Sequence, residues 1–145
     1  MKALIQRVKY ANVMVGGECV GSISTGLLVL LGLEKQDNDG LSKKLLDKLL
    51  NYRVFPDAQG KMNLSLMDVG GELLIVSQFT LVANTRKGLR PSFSEGAAPE
   101  QGEALYDGFV KLAAASGLKV EAGVFGADME VTLLNDGPVT FLLEV

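Results

Sequence analysis

The chain contains no histidine among its 145 residues and only one cysteine, Cys19. Histidine is the commonest general base and the commonest metal ligand in proteins, so both roles would have to go to other groups. Zinc sites of the usual composition are excluded, as are Ser-His-Asp and Cys-His catalysis. Any chemistry must rest on hydroxyls, carboxylates, lysine, backbone dipoles or a group that the substrate brings. We expect neither a metal nor a cofactor.

A single cysteine also excludes an internal disulfide and is typical of a reducing compartment. Long apolar runs are absent, since the longest, Leu27 to Leu33, is interrupted by Gly32 and is far too short to span a bilayer. The first residues do not make a signal peptide, because Gln6, Arg7 and Lys9 break the apolar stretch. These absences predict a cytoplasmic protein that does not enter a membrane.

Glycine-rich phosphate-binding motifs are missing as well. Neither G-x-G-x-x-G nor G-x-x-x-x-G-K-[ST] occurs, so nothing favours a nucleotide-cradling loop of those kinds. Hydrophobic residues make up 48% of the chain, which places it well above the disordered class. Its length predicts one domain that spans residues 1–145.

The pattern of apolar residues predicts an α+β fold. Segments typical of strands lie at 3–8, 12–15, 18–23, 27–33, 73–82, 129–134 and 139–145, and weakly at 62–67. Two amphipathic helices are predicted, one with a leucine stripe from Leu41 to Leu50 and one from Pro99 to Gly117. Strand–helix–strand crossovers are too few for a doubly wound sheet. We expect a largely antiparallel sheet or open β-barrel with two helices packed on it.

The segment Ser77-Gln78-Phe79-Thr80 is the first candidate for chemistry. It ends an apolar strand with three polar side chains in four positions, which a strand emerging into solvent would also explain. A uniformly buried strand would not carry glutamine here, and an edge strand would not need phenylalanine. Such a strand end can present hydroxyls and backbone N–H groups to a bound carbonyl.

The segment from Asn84 to Phe93 is the second candidate. It lies in a polar stretch from residue 84 to 98, and loops of that length in small domains are usually functional or disordered. Arg86, Lys87 and Arg90 fall within five positions of it, although the chain carries a net charge of −3. An ordinary solvated loop would explain such a cluster. Alternatively, the basic groups pair with phosphates and Phe93 supplies a stacking face.

The segment from Asn135 to Thr140 is the third candidate, with Gly137-Pro138 at its centre. Asn-Asp-Gly is a normal hairpin signal, but proline directly after it removes a hydrogen-bond donor at the start of a strand. About 5–6% of X–Pro bonds in folded proteins are cis, and in tight turns they tend to serve a purpose. If this bond is cis, the flanking carbonyl oxygens point the same way and can recognise a substrate.

With these segments the chain closely resembles the D-aminoacyl-tRNA deacylase (D-tyrosyl-tRNA deacylase) family, and the resemblance covers essentially all 145 residues. The matching segments are Ala3–Val8, Gly26–Leu30, Gly60–Leu64, Ser77–Leu81, Arg90–Phe93 and Asn135–Thr140. The motifs S-Q-F-T-L and N-x-G-P-V-T at this separation are highly specific, and the chain carries both.

The resemblance implies a cytoplasmic homodimer, a hydrolase that cleaves the ester linking a D-amino acid, or glycine, to the terminal adenosine of tRNA. Ser77 to Thr80 would form the catalytic pocket, with backbone N–H groups near Phe79 and Thr80 holding the acyl carbonyl. Gly137-Pro138 would be a Gly-cis-Pro turn that reaches into the partner's site and excludes L-amino acids through its carbonyl oxygens. Arg7 resembles the residue that fixes the orientation of this turn.

The resemblance also explains the missing histidine, because it implies that the 2′-hydroxyl of the tRNA activates the attack. An alternative role for Thr80 as the nucleophile stays open. Two other functions remain at this point: an esterase or amidase for small acyl substrates, and a dimeric β-scaffold that binds RNA ends without cleaving them. The former would need neither the basic loop nor a dimer.

Overall fold

The computed structural model describes residues 1–145. Its strands are β1 (Lys2–Val15), β2 (Glu18–Ile23), β3 (Gly26–Gly32), β4 (Phe55–Pro56), β5 (Met62–Leu64), β6 (Glu72–Ser77), β7 (Val120–Ala122) and β8 (Glu130–Glu144). Its helices are α1 (Asp39–Asn51), α2 (Leu66–Val69) and α3 (Pro99–Ala114), with a short 3₁₀ helix at Phe79–Val82.

Strand β1 organises the sheet, because its 14 residues are long enough to pair with three other strands. Its first half is antiparallel to β3, its second half is antiparallel to β2, and β8 is antiparallel to it along the opposite edge. Strand β6 is parallel to β3, and β7 is parallel to β6. The sheet is therefore mixed and nearly barrel-shaped, with β8 separated from β6 by β1 and β3.

Helices α1 and α3 pack on this sheet and on each other through their apolar faces, which confirms the predicted α+β class. The Asn38 side chain accepts a hydrogen bond from the N–H of Leu41 and so caps the first turn of α1. The leucine stripe is buried as predicted from Leu45 onward, Leu41 is half-buried, and Ser42 is buried beside the stripe. No helix is both long and apolar enough to cross a membrane.

Several short elements differ from the sequence-based expectation. Residues 62–67, predicted weakly as one strand, divide into β5 and α2, because Ser65 and Asp68 form a capping box that starts a helical turn. The strand predicted over 73–82 ends at Ser77, and the chain then forms the 3₁₀ helix. Strand β7 is not predicted at all, since its three residues are set by parallel pairing with β6.

The segment around Gly137-Pro138 is not a hairpin corner. Residues on both sides of it pair with the same neighbour in the same antiparallel sense, Asn135 with Val8 and Thr140 with Gln6. Only Arg7 of β1 lies opposite the residues between these pairs, so β8 continues past a large irregular bulge. The bulge projects a short turn from the middle of a 15-residue strand.

Candidate active site

The end of β6 leaves the sheet at the first candidate segment. Ser77 still pairs with Leu31 of β3, and the N–H of Gln78 donates to the Leu31 carbonyl oxygen at 2.8 Å. The chain then turns away at Gln78 and forms the 3₁₀ helix. Phe79 and Thr80 are exposed as a result, with 66% of Phe79 accessible.

This turn leaves two adjacent backbone donors free of helical partners. Within the 3₁₀ helix the first donor is Leu81, whose N–H donates to the Gln78 carbonyl oxygen at 3.2 Å. The N–H groups of Phe79 and Thr80 precede it, and no side chain caps them. Two neighbouring N–H groups at an exposed strand end are suited to holding a carbonyl oxygen that gains negative charge.

The Thr80 hydroxyl oxygen accepts a hydrogen bond of 2.5 Å from Gln78 Nε2. That contact is the only side-chain hydrogen bond of Thr80, so no carboxylate or lysine is placed to take its proton. A hydroxyl nucleophile needs such a base, because it is weak in its protonated form. No protein base therefore lies within hydrogen-bond distance of the Thr80 hydroxyl.

A cavity of about 510 Å³ opens beside this strand end. Seven of its twelve lining residues are hydrophobic, so it suits a ligand with a large apolar or aromatic surface. Its walls come from the end of β6 and the residues that follow it, the start of α3, and the segment that leads into β8: Val76, Ser77, Gln78, Phe79, Ala97, Pro99, Phe125, Gly126, Ala127, Asp128, Met129 and Val131.

Tyr106 of α3 holds two walls of this cavity together. Its buried hydroxyl lies 2.9 Å from the Ile75 carbonyl oxygen on β6 and 3.2 Å from the Gly123 carbonyl oxygen. Its ring packs against Phe125 at 5.8 Å between centroids. Burial raises the pKa of Tyr106 to about 12, so the hydroxyl stays protonated and remains a donor. No sequence pattern singled out Tyr106 or the Phe125 wall.

The basic loop lies on the other side of Phe79. Reciprocal backbone hydrogen bonds of 2.8 and 3.0 Å between Asn84 and Ser92 close it. Arg86, Lys87 and Arg90 are exposed and form no salt bridge within the chain. Phe93 follows the loop and packs against Phe79 with ring centroids 5.0 Å apart. The first two candidate segments are therefore neighbours.

The third candidate is an exposed turn that its neighbours hold in place. The Gly137–Pro138 peptide bond is cis. Arg7 donates from Nε to the Asp136 carbonyl oxygen at 2.9 Å and from Nη1 to the Val54 carbonyl oxygen at 2.6 Å. Across the turn, the Asn135 side-chain oxygen accepts from the N–H of Val139 at 2.8 Å. Arg7 thus anchors this turn from the neighbouring strand.

Within one chain this turn does not reach the end of β6. Arg7 pairs with Leu27 near the start of β3, whereas Ser77 pairs with Leu31, four residues further along. That offset corresponds to roughly 13 Å along the strands, and the three steps from β8 to β6 add roughly 14 Å across them. The structure therefore brings the first two candidate segments together and leaves Gly137-Pro138 apart from them.

The β1–β8 ladder carries exposed apolar residues on both sides of this turn. Tyr10 and Leu134 face each other across the ladder and are 47% and 40% exposed, and Leu142, beyond the turn, is 51% exposed. Exposed apolar side chains that cluster on a surface are typical of a protein–protein contact.

Comparison with known proteins shows the family of the chain. The sequence model of the D-Tyr-tRNA(Tyr) deacylase family matches residues 4–144. The chain belongs to this family. A "D-aminoacyl-tRNA deacylase" of Pseudomonas paraeruginosa is 65% identical over 144 residues, 99% of both proteins. One from Pseudoalteromonas translucida is 60% identical over 145 residues, the full length of both.

Two solved structures resemble the deacylase fold described here. One is titled "c-Myc DNA Unwinding Element Binding Protein" and superposes with a TM-score of 0.95 at 41% identity, covering 100% of this chain and 99% of its own. A probable eukaryotic D-amino acid tRNA deacylase superposes with a TM-score of 0.85 at 19% identity and shows the fold alone. As a member of the deacylase family, the chain is a hydrolase that acts on the ester bond of D-aminoacyl-tRNA.

Proposed function

We propose that the chain hydrolyses D-aminoacyl-tRNA at the end of β6, with the acyl carbonyl held by the N–H groups of Phe79 and Thr80. The free, adjacent donors at this exposed strand end carry the proposal. When water attacks the acyl carbon, the carbonyl oxygen gains negative charge, and fixed donors stabilise it without further reorganisation. The bond from the acyl carbon to the ribose 3′-oxygen then breaks, and that oxygen leaves with a proton.

The base that assists the attack comes from the substrate. The chain has no histidine, and Thr80 accepts only from Gln78. The 2′-hydroxyl of the terminal ribose is vicinal to the ester oxygen, so it can orient the water and relay its proton to the leaving 3′-oxygen. Catalysis then depends on positioning this hydroxyl and the carbonyl together, for which binding energy from the rest of the tRNA is available.

Two other surfaces contact different parts of the tRNA. The cavity beside Phe79 accepts the terminal adenosine, because its wall is largely apolar and includes the Phe125 ring. The exposed side chains of Arg86, Lys87 and Arg90 contact backbone phosphates, which their positive charge favours. The protein acts in the cytoplasm, where its substrate is made, and requires neither metal nor cofactor.

Selectivity comes from the Gly137-Pro138 turn of a second copy of the chain. The turn lies on the β1–β8 ladder, with the exposed apolar residues Tyr10 and Leu134 on one side of it and Leu142 on the other. A homodimer that packs around this part of the ladder about a two-fold axis presents each turn to the other subunit. The turn cannot reach Ser77 to Thr80 of its own chain. It can therefore act on a substrate only by entering the site of the partner subunit.

A turn in that position acts as an obstacle to one enantiomer. Rejection by clash requires a part that does not yield, and Arg7 and Asn135 hold the turn by hydrogen bonds at its two ends. An L-amino acid would direct its side chain against the turn, whereas a D-amino acid would direct it away. Glycine has no side chain and passes the filter, so glycyl-tRNA is also hydrolysed.

One assay tests this function against its alternatives. Purified protein is incubated with D-aminoacyl-tRNA, L-aminoacyl-tRNA, glycyl-tRNA and the ethyl ester of the same D-amino acid. We expect release from the D-aminoacyl-tRNA and glycyl-tRNA only. Release from the ethyl ester as well would favour a general esterase, and binding of the tRNA without release would favour an RNA-binding scaffold. Either of those two results overturns the proposal.

A further inference from the structure

Phe79 and Phe93 form an aromatic pair that the fold does not bury. Their ring centroids lie 5.0 Å apart and the rings are inclined at 54°. Yet 66% of Phe79 and 45% of Phe93 remain accessible. A buried aromatic side chain gains roughly 1.5–3 kcal/mol over an exposed one, so two adjacent exposed rings forgo a gain that the core would offer. This arrangement indicates a surface that a ligand covers.

The pair lies between two features already assigned to the tRNA. Phe79 lines the rim of the cavity beside the end of β6. Phe93 follows the basic loop that contains Arg86, Lys87 and Arg90, and its carbonyl oxygen accepts from the N–H of Gly96 as the chain leaves that loop. A strand of RNA that runs from the cavity to the basic loop passes over these two rings.

We propose that Phe79 and Phe93 form a stacking platform for the unpaired base immediately 5′ of the terminal adenosine. This rests on the proposed function and identifies a second nucleotide subsite for the same substrate. Unpaired bases at RNA ends are recognised by stacking on aromatic side chains, since every base has a π-face. Rings inclined at 54° can contact one base with both a face and an edge, the two arrangements that aromatic groups prefer.

The charge next to the rings favours a base over the side chain of the amino acid. An aromatic amino-acid side chain would need an apolar surface but no cations. Arg86, Lys87 and Arg90 have no acidic partner in the chain, and a nucleotide brings a phosphate together with its base. The platform therefore distinguishes an aminoacylated RNA end from a simple aminoacyl nucleoside.

The test is a double-mutant cycle between Phe93 and the base. D-Alanyl-tRNA, whose amino acid has no aromatic ring, is prepared intact and with an abasic nucleotide before the terminal adenosine. Stacking on an aromatic side chain corresponds to roughly 5- to 150-fold in binding. For the unmodified protein we expect removal of the base to raise KM by a factor in that range. Phe93→Ala should raise KM similarly for the intact substrate and should not raise it further for the abasic one.

Two other variants control for the fold and for aromaticity. Phe93→Tyr should keep the KM of the original protein, whereas Phe93→Leu, which preserves an apolar side chain, should behave as Phe93→Ala. Met67→Ala alters an apolar residue of α2 that is 41% exposed, and it should change neither KM nor kcat. In every variant kcat for the intact substrate should remain unchanged, because the side chains of Phe93 and Met67 do not touch the ester.

Three results would overturn the platform. KM could be unaffected by Phe93→Ala, it could rise equally for intact and abasic substrates, or it could rise only when D-tyrosine replaces D-alanine. The last result would assign the rings to the amino-acid side chain. Failure of the proposed function is distinguishable from all three, since the unmodified protein would then release no D-alanine from either tRNA.

Discussion

Arg7 lies directly behind the Gly137-Pro138 turn and donates its Nε hydrogen to the carbonyl oxygen of Asp136 at 2.9 Å. Its Nη1 simultaneously donates to the Val54 carbonyl oxygen at 2.6 Å, and its side chain is only 12% exposed. A planar guanidinium satisfies two acceptors in fixed directions, which the single ammonium of lysine cannot reproduce. This residue therefore links the position of the turn to the rest of the sheet.

Arg7→Lys is expected to loosen the turn without removing the positive charge. Hydrogen bonds from a charged donor contribute about 1.5–3 kcal/mol each, so losing one of them should lower the free energy of unfolding by an amount in that range. Hydrolysis of L-aminoacyl-tRNA should rise relative to the D-substrate. The ratio of the two kcat/KM values measures this effect. If stability falls while the D/L ratio stays constant, Arg7 has a structural role only.

Gly137→Ala should disturb selectivity more directly. Gly137 has φ +150°, and an added Cβ would lie 2.5 Å from Val139 Cγ2 and 2.7 Å from the Val139 backbone nitrogen. The turn must shift to accept it, so D-substrate cleavage should fall or L-substrate rejection should relax. Affinity for tRNA should change little.

Gly17→Ala is the matched control for this variant. Gly17 also has positive φ, +82°, but its Cβ would meet nothing within 4 Å, and it lies in the β1–β2 turn. It should cost stability without changing the D/L ratio. If both variants changed the D/L ratio equally, a general loss of stability, and not the Gly137-Pro138 turn, would account for the change in selectivity.

The basic loop should contribute phosphate contacts and no chemistry. Replacing Arg86 and Lys87 by alanine should weaken tRNA binding and flatten the slope of log K against log salt by roughly 0.7–0.9 per lost contact. The single-turnover rate at saturating tRNA should barely move. Titrations at several salt concentrations provide the slope, and an unchanged slope would mark the loop as an ordinary solvated one.

Tyr106 should make stability fall in alkaline solution. Its pKa in the folded protein is raised to about 12, mainly by burial, whereas an exposed tyrosine titrates near 10. The folded state keeps the Tyr106 proton to a higher pH than the unfolded state does. The stabilisation that the protonated hydroxyl provides is therefore complete below about pH 10 and is lost as the pH rises toward 12. Tyr106→Phe should remove this dependence and cost about 1–3 kcal/mol at neutral pH. Denaturant unfolding at pH 7 and across pH 10–12 measures both, and an unchanged alkaline slope would contradict the assignment.

Much of the architecture follows from local periodicity. The leucine stripe of α1 and the bounds of β2 could be predicted, because each element buries one face with its own period. The end of β6 could not, since the 3₁₀ helix at Phe79–Val82 carries the same β-forming residues as a strand. Strand β7 exists only through its pairing with β6, which lies far away in the chain.

The candidate site divides in the same way. Ser77 to Thr80 and Gly137-Pro138 could be selected as candidates from the sequence, because polar residues or proline interrupt apolar strands there. Tyr106 and Phe125 could not be identified from the sequence. One is a buried tyrosine on a helix and the other lies in an irregular segment, and no local pattern indicates that the two rings pack together. That the Gly137-Pro138 turn extends from one continuous strand, and not from a hairpin, depends on pairing with β1.

The most direct measurement of the central claim uses a tRNA that ends in 2′-deoxyadenosine. Single-turnover hydrolysis of its 3′-D-aminoacyl ester is compared with that of the ordinary tRNA, for the original protein and for Thr80→Ala. If backbone donors hold the carbonyl and the 2′-hydroxyl assists the attack, the deoxy substrate should be nearly inert, while Thr80→Ala should still hydrolyse the ordinary one. An inactive Thr80→Ala together with normal cleavage of the deoxy substrate would contradict the account and make Thr80 the nucleophile.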